Sequence, residues 1–263
     1  MERLDRTGFG ELKIFQDTES FCYGIDAVIL SYFASQGIKK ENVVFDLGTG
    51  NGIIPLILSY KTKLSKVVGI DIQKNLIEMA RKSVELNGLK DKIEFIEADV
   101  SMADRLRNIC SCNMKEDSCD NLSGNDISGF LGQCDVVTCN PPYFPKGRAV
   151  LNSTDSLTLS RHETCAELRD FMDFASLLLK EKGRLYIINR PSRFADSMCF
   201  ARDTGMEPRN IRIVSSTAFT KPKMILMEFI KGGGVECRFG EPLIIYNGDG
   251  TYTCEILKAY DIK

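Results

Sequence analysis

The sequence predicts an α/β fold in which helices cover a mostly parallel sheet. From about Val43 onward, short apolar runs rich in β-branched residues alternate with longer stretches of helical periodicity. This alternation is typical of repeated strand–helix–strand units. The chain has 263 residues and is 43% apolar, which is enough for one large domain with a buried core. We therefore expect a single domain over residues 1–263, with residues 1–42 preceding its first core strand.

The elements can be assigned in chain order. The five strands predicted from apolar, β-branched runs are 43–46, 66–71, 93–98, 135–139 and 184–189. Leu76, Ile77, Ala80 and Val84 recur at helical spacing, which predicts an amphipathic helix ended by Asn87-Gly88. Further helices are predicted over 166–180, with a stop at Lys182-Gly183, and over 193–203. An apolar run over 224–231, followed by turn signals, predicts a β-hairpin that completes the sheet.

One segment interrupts this pattern. Residues from about 106 to 132 are rich in Ser, Asn, Asp, Gly and Cys, so we predict an exposed, mobile polar insertion. Cys110, Cys112 and Cys119 supply three thiols without a fourth ligand, and His162 is the single histidine, so we expect no metal. The ten cysteines are scattered, which favours free thiols in a reducing compartment. With no apolar leader or membrane-length run, we expect a cytoplasmic protein that does not contact membranes.

A glycine-rich loop follows the first predicted strand. In Asp46-Leu47-Gly48-Thr49-Gly50-Asn51-Gly52 the glycines permit a tight turn and let backbone N–H groups approach a ligand. Asp71 lies 19 residues past Gly52, at the end of the second strand, where its carboxylate can bind both ribose hydroxyls. These two features are typical of NAD sites and of S-adenosylmethionine sites alike.

Three details favour S-adenosylmethionine. The glycines are spaced G-x-G-x-G, whereas dinucleotide loops have G-x-G-x-x-G. An acid, Asp46, precedes the first glycine, where it can act through solvent or backbone near an ammonium group. At the end of the third strand, Asp99 is placed to accept a hydrogen bond from an adenine amino group, and Val100 to pack against the ring.

The string Asn140-Pro141-Pro142-Tyr143 directly follows the fourth strand. The prolines stiffen the backbone and remove N–H donors, so the Asn140 amide oxygen and the Pro141 carbonyl can accept hydrogen bonds from a planar amino group. Tyr143 offers a ring for stacking. Two acceptors on the amine hydrogens favour tetrahedral geometry at nitrogen and free its lone pair for attack on a sulfonium methyl. The string therefore predicts N-methylation in which the main catalytic contribution is orientation of the amine.

These residues resemble the class I S-adenosylmethionine-dependent N-methyltransferases. The segments 14–16, 23–30, 161–163 and 190–194 are similar to the bacterial tRNA1(Val) (adenine-37-N6)-methyltransferase subgroup. The resemblance implies a doubly wound Rossmann-like methyltransferase sheet of seven strands, mostly parallel, with an antiparallel C-terminal hairpin strand. It also implies S-adenosyl-L-methionine as cofactor and tRNA as partner, in a monomer or a homodimer. The polar insertion is not part of the pattern.

The candidate site residues fall into three groups. The expected catalytic residues are Asn140, Pro141, Pro142 and Tyr143. The expected cofactor-binding residues are Gln16, Tyr23, Gly24, Asp26, Asp46, Gly48, Thr49, Gly50, Asn51, Gly52, Asp71, Ile72, Asp99, Val100 and Asn140. The first four of these rest on the resemblance, within a segment 1–42 that would cover the cofactor; from the residues alone, Asp26 could simply cap the helix that begins near Ala27. The expected substrate-binding residues are Tyr143, Lys146, Arg148, Arg161, Arg190 and Arg193, and His162 is a candidate for the substrate loop without a catalytic part.

Charge is unevenly distributed along the chain. The totals are 34 Lys and Arg against 36 Asp and Glu, so the molecule is no basic scaffold and any nucleic-acid site must be local. Residues 180–231 hold eleven Lys and Arg against five acids, net +6, whereas residues 91–135 are net −6. The basic residues expected to meet phosphates are Arg190, Arg193, Arg202, Arg209, Arg212, Lys221 and Lys223.

The leading interpretation is methylation of adenosine N6 in tRNA, at position 37 of tRNA1(Val) by resemblance. N5-methylation of a glutamine amide in a protein such as a release factor remains an alternative, because those enzymes carry the same Asn-Pro-Pro-Tyr loop. N6-methylation of adenine in rRNA or DNA is a further alternative. A cofactor-binding or RNA-binding module without catalysis, and a dehydrogenase, are the interpretations from other classes.

Overall fold

The computed structural model describes residues 2–17, 23–103, 106–107, 127–142 and 166–262. Within these ranges the elements are, in chain order, β1 (Glu2–Arg6), β2 (Lys13–Asp17), α1 (Ile25–Ser35), β3 (Val43–Leu47), α2 (Ile53–Lys61), β4 (Lys66–Asp71), α3 (Lys74–Leu86), β5 (Ile93–Glu97), β6 (Cys134–Cys139), α4 (Leu168–Leu178), β7 (Leu179–Asn189), α5 (Phe194–Asp203), β8 (Met206–Ser215), β9 (Met224–Lys231), β10 (Arg238–Phe239), β11 (Leu243–Ile244) and α6 (Cys254–Ala259). Short 3₁₀ turns cover Val100–Met102, Ile127–Phe130 and Pro191–Arg193.

The central sheet has the strand order β10-β8-β9-β7-β6-β3-β4-β5, and β11 pairs with β8. Strands β3 to β7 pair in parallel, whereas β9 lies antiparallel between β7 and β8. This confirms the predicted mostly parallel sheet with an antiparallel hairpin strand. After β3 the chain adds β4 and β5 on one side of β3, and it then adds β6 on the other side, so the strand order reverses at β3. In open α/β sheets a ligand binds at the carboxyl ends of the strands at such a switch point.

Successive strand residues face opposite layers, as the pleat requires. Val44 points to the layer formed by α1, α2, α3 and α6, and Phe45 points to the layer formed by α4 and α5. Because both faces are covered, the parallel strands read as nearly continuous apolar runs. Among the described residues, no helix is both long and apolar enough to cross a membrane.

Four details differ from the sequence prediction. Strand β8 was not predicted; it precedes β9 and is its hairpin partner, whereas β10 and β11, which follow the predicted turn, pair in parallel with β8. Helix α4 ends at Leu178, and the stop expected at Lys182-Gly183 is a bulge inside β7, where Lys182 has φ of 64°. The hairpin β1–β2 was not predicted; its strand β2 docks on α3, where the Lys13 N–H donates to Asn87 Oδ1 over 3.0 Å and the Phe15 N–H to Ser83 Oγ over 2.9 Å. Helix α6 was not predicted either, because six residues give too little periodicity.

The predicted polar insertion is described only at its two ends. Leu106 is buried, and Phe130 packs edge-on against Phe45 with ring centroids 5.2 Å apart. Residues 108–126, including Cys110, Cys112 and Cys119, lie outside the described residues, so the insertion stays a prediction.

Candidate functional site

The glycine-rich loop joins β3 to α2 at the carboxyl edge of the sheet. Gly48, Gly50 and Gly52 all have positive φ, of 68°, 57° and 81°. A Cβ at Gly52 would lie 2.7 Å from the Phe95 ring, so glycine is required there for the loop to pack against β5. The Thr49 N–H donates to the Ile70 carbonyl over 2.9 Å, which ties the loop to the neighbouring strand β4.

Asp71 ends β4 and reaches under this loop. Its Oδ2 accepts from the Gly50 N–H over 2.8 Å, and its Oδ1 accepts from the Gln73 N–H over 2.9 Å. Burial raises the pKa of Asp71, although the backbone hydrogen bonds oppose the shift. Each carboxylate oxygen can accept a second hydrogen bond. The group is thus fixed in place and still able to bind hydroxyls of a ligand.

Asp46 lies beneath the loop, on β3. Its Oδ1 accepts from the Thr138 hydroxyl of β6 over 2.7 Å, and the side chain is fully buried. Burial raises the pKa of Asp46 to about 7, against the lowering effect of the Thr138 hydrogen bond. Thr138 was not among the predicted site residues. A polar residue inside the apolar run of β6 was the available signal, because a buried hydroxyl needs a partner.

Three buried side-chain atoms in this region have no hydrogen-bond partner among the described residues. They are Asp46 Oδ2, Thr49 Oγ1 and Asn51 Nδ2. The Thr49 hydroxyl is nevertheless near enough to Asp46 to lower the pKa of that carboxyl, so these two groups lie side by side without a hydrogen bond of good geometry. Unsatisfied buried polar atoms are costly, and in native proteins they cluster at sites where a ligand or an ordered water completes them. The loop therefore fits a ligand that carries both hydrogen-bond donors and acceptors.

The residues predicted to contact the nucleoside, Ile72, Asp99 and Val100, follow the ends of β4 and β5. The Ala98 N–H donates to the Asp71 carbonyl over 3.0 Å, so the residues after β5 lie beside Asp71. Asp99 caps the 3₁₀ turn through the Ser101 N–H, at 2.8 Å from Oδ1. Ile72 is 40% exposed, whereas Val100 is only 6% exposed and lies in the core layer of α4. Contact of these side chains with a base stays a prediction.

Asn140 directly follows β6, across the switch point from the glycine loop. Its Nδ2 donates to Asp26 Oδ2 over 3.0 Å. An ionised carboxylate only accepts hydrogen bonds, so this contact fixes which edge of the amide faces Asp26. The Asn140 Oδ1 therefore faces away from Asp26. Pro141 is buried and Pro142 is exposed, while Tyr143 lies outside the described residues.

Asp26 stands at the start of α1. Besides Asn140, it accepts from the Ala27 N–H, 3.0 Å from Oδ1. The helix begins at Ile25 with Gly24 as its N-cap, so Asp26 lies within the first turn and the prediction that it caps a helix beginning near Ala27 is wrong. Gly24 precedes Asp26, and a Cβ there would lie 2.7 Å from Asp26 Oδ1. Glycine at this position leaves room for the carboxylate to fold back over the helix start.

Gln16 and Tyr23 bracket residues 18–22, which lie outside the described residues. Gln16 Oε1 accepts from the Tyr23 N–H over 3.1 Å, and its Nε2 donates to Asp5 Oδ2 over 2.7 Å. The Tyr23 hydroxyl donates to the Thr7 carbonyl over 3.2 Å. These contacts organise the N-terminal segment, and a role of either residue in ligand binding stays a prediction.

The expected substrate-binding residues are only partly described. Arg190 follows β7 and is exposed, and Arg193 forms an ion pair with Asp196 at 2.7 Å. Lys146, Arg148, Arg161 and His162 lie outside the described residues. Among the described residues, no group of three His, Cys, Asp or Glu side chains is placed to hold a metal ion.

Comparisons with known proteins agree with this geometry. Residues 38–199 match a family model described as "Methyltransferase domain". The chain is 27% identical over 241 residues to a Porphyromonas gingivalis protein named tRNA1(Val) (adenine(37)-N6)-methyltransferase, covering 89% of this chain and 85% of that protein. A Histophilus somni protein of the same name is 22% identical over 261 residues, covering 97% and 95%. The structure of a predicted O-methyltransferase from Agrobacterium tumefaciens superposes with a TM-score of 0.63 at 21% identity, covering 90% of this chain and 95% of that chain.

Proposed function

The chain belongs to the methyltransferase-domain family, and on that premise we propose that it methylates the exocyclic N6 of an adenosine in tRNA, using S-adenosyl-L-methionine. The similar proteins from P. gingivalis and H. somni carry names that specify adenine 37 of tRNA1(Val). We take the same nucleotide, beside the anticodon, as the target here. The cytoplasm, where tRNA is found, is then the expected compartment.

The observation that carries this proposal is the fixed amide of Asn140. Because Nδ2 is bound to Asp26 at 3.0 Å, the edge of the Asn140 amide that faces away from Asp26 carries the acceptor Oδ1. A carbonyl-type oxygen accepts from an NH2 group and repels another acceptor. The site thus favours an amino group, such as adenine N6, over the carbonyl oxygen that guanine carries at the same ring position.

The neighbouring residues complete the acceptor arrangement. Pro141 and Pro142 lack N–H groups, so this stretch of backbone offers only carbonyl acceptors to the amine. With both amine hydrogens held, the nitrogen lone pair leaves conjugation with the ring and points along one direction. Asn140 and Pro141 therefore act by orientation, which is the main requirement for an in-line transfer.

The glycine-loop side supplies the cofactor site in this proposal. When bound, S-adenosyl-L-methionine supplies an electrophilic methyl carbon on a sulfonium sulfur. Asp71 would hold the ribose hydroxyls, because its carboxylate is already fixed by Gly50 and Gln73 with acceptor capacity left. Asp46, Thr49 and Asn51 would bind polar groups of the same ligand through their unpartnered atoms. Asp99 would accept from the adenine amino group.

Incubation with labelled cofactor and unmodified tRNA tests the substrate. We expect N6-methyladenosine in digested tRNA, located in the anticodon loop by mass spectrometry of fragments. A transcript with guanosine in place of adenosine 37 is the matched control, and it should remain unlabelled. An unmethylated release factor is the competing substrate, since glutamine also carries a planar NH2. Label in the release factor and none in tRNA would reject the proposal.

A further inference from the structure

The loop between β8 and β9, residues 216–223, lies at the same edge of the sheet as Asn140. Strand β9 is antiparallel to β7, and Ile225 pairs with Asn189 at the end of β7. Val214 near the end of β8 pairs with Met224 at the start of β9. Neighbouring strands are about 4.8 Å apart, so β9 and β8 lie roughly 10 and 14 Å from β6 across the sheet. Nucleotides next to a target held at Asn140 can reach this loop.

The loop has a defined conformation that displays one aromatic ring. The Thr217 N–H donates to Thr220 Oγ1 over 2.9 Å, the Thr220 N–H donates back to the Thr217 carbonyl over 3.2 Å, and the Lys223 N–H closes the loop onto the Val214 carbonyl over 2.9 Å. Phe219 sits at the tip and is 100% exposed. Phenylalanine belongs to the residues most often buried. A fully exposed ring on an ordered loop points to a partner that covers it.

The charge of the loop indicates the chemistry of that partner. Residues 216–223 include two lysines and no acid. Lys221 and Lys223 are exposed, and neither forms an ion pair with any described residue. The nearby arginines on β8 differ, because Arg209 pairs with Glu236 and Arg212 with Glu255, each at 2.6 Å. Uncompensated cations beside an exposed ring are the combination used to bind single-stranded nucleic acid, through phosphate contacts and base stacking.

We propose that residues 216–223 form a binding site for unpaired RNA nucleotides flanking the target adenosine. Phe219 stacks on one base, and Lys221 and Lys223 contact the adjacent phosphates. This inference rests on the proposed function, because it assigns the loop to the same RNA substrate. Stacking tolerates any base, so the loop adds affinity and position, whereas Asn140 selects the amino group.

Fluorescence tests the stacking directly. The chain contains no tryptophan, so Phe219→Trp introduces a single reporter. We expect unmodified tRNA to quench this emission at concentrations that support methyl transfer. Phe239→Trp is the matched control, because Phe239 is 65% exposed on β10 and pairs with Ile211 in the middle of β8. Absence of quenching at position 219, or equal quenching at both positions, would overturn the proposal.

Kinetics test the contribution of the loop to substrate binding. We expect Phe219→Ala to raise KM for tRNA by about 5- to 100-fold, with kcat little changed. The association constant for tRNA falls as salt concentration rises. In the double variant Lys221→Ala/Lys223→Ala, the slope of its logarithm against the logarithm of salt concentration should become less steep by about 0.7 per lysine. The charge-matched control is Lys39→Ala/Lys63→Ala, two exposed lysines ahead of β3 and β4 at the opposite edge.

The outcomes separate the two proposals. If the wild-type protein does not methylate tRNA, the proposed function fails. If the wild-type protein methylates tRNA but the loop variants keep its KM and salt dependence, only the loop proposal fails. If Phe219→Ala leaves tRNA binding intact but dissociates an oligomer in light scattering, the ring covers a second copy of the chain, and the RNA proposal is likewise wrong.

Discussion

The two halves of the carboxyl edge are built in different ways. At the ends of β4 and β5, contacts join residues closer in sequence: Asp71 binds Gln73 and Gly50, two and 21 positions away, and Asp99 binds Ser101. On the side of β6, Asn140 depends on Asp26, 114 positions away. A local loop can be recognised from sequence spacing, whereas the orientation of Asn140 is visible only once the fold brings α1 to the end of β6.

In the proposed function, this difference gives the two halves separate tasks. The first half is the proposed cofactor site, where Asp71 and Asp99 are fixed by nearby residues and Asp46 is held by Thr138 of β6, so damage there should reduce cofactor affinity. The second half orients one amide, so damage there should reduce the rate of transfer and leave cofactor affinity unchanged. Substitutions on the two sides can therefore test whether binding and transfer are separable.

The largest effect is expected at Asn140. Asn140→Ala removes an acceptor of the target amine, and we expect a loss of about 2–4 kcal/mol in transition-state stabilisation, roughly 30- to 1000-fold in kcat. Asn140→Asp keeps the shape but places a carboxylate against Asp26, so it should lose comparable activity. Single-turnover kinetics measures the loss, and calorimetry should show little change in cofactor affinity. Retained transfer in both variants would contradict this role.

The matching change in the other half is Asp71→Ala. Loss of a charged acceptor for two hydroxyls should weaken cofactor binding by about 1.5–3 kcal/mol, roughly 10- to 150-fold in Kd. At saturating cofactor, kcat should be nearly preserved. Glu97→Ala is the control, because Glu97 is an exposed carboxylate at the end of β5. Equal weakening in both variants would indicate a general charge effect.

Asp26 tests the long-range contact. Asp26→Ala leaves the Asn140 amide without its anchor, and we expect a decrease in kcat of about 10- to 100-fold. Asp26→Asn retains an oxygen that accepts from Asn140 Nδ2, so it should recover most of that loss. Thermal unfolding shows whether both variants fold. If Asp26→Ala instead raises the Kd for cofactor and spares kcat, Asp26 belongs to the cofactor site that the resemblance implies.

The last prediction concerns stability instead of activity, and it is a pH dependence. The folded pKa of Asp46, about 7, lies above its usual value of 3.8. The native state therefore binds a proton that the unfolded state releases between these values, and stability falls as pH rises through this window by at most about 1.4 kcal/mol per pH unit. Asp46→Asn keeps the acceptor for Thr138 and should flatten this slope. Urea unfolding at several pH values between 5 and 8 gives the free energy of unfolding as a function of pH. Equal pH dependence in the wild-type protein and Asp46→Asn would contradict the raised pKa of Asp46.

Much of the fold follows from sequence, for physical reasons. Buried parallel strands must be apolar, and helices between them show their period, so five strands and the helix from Lys74 to Leu86 are predictable. The β1–β2 hairpin is not, because it is held by the side chains of Ser83 in α3 and of Asn87 directly after it. The glycine loop and Asp71 were predictable together. The pairs Asp26–Asn140 and Asp46–Thr138 were not, because each depends on the sheet order.

The most direct test is a crystal structure with the product cofactor, S-adenosylhomocysteine, and an anticodon stem–loop. We predict that Asn140 Nδ2 stays on Asp26 and that Oδ1 accepts from adenosine N6 within about 3.2 Å. An amide turned away from the adenine, with another side chain holding N6, would contradict the account.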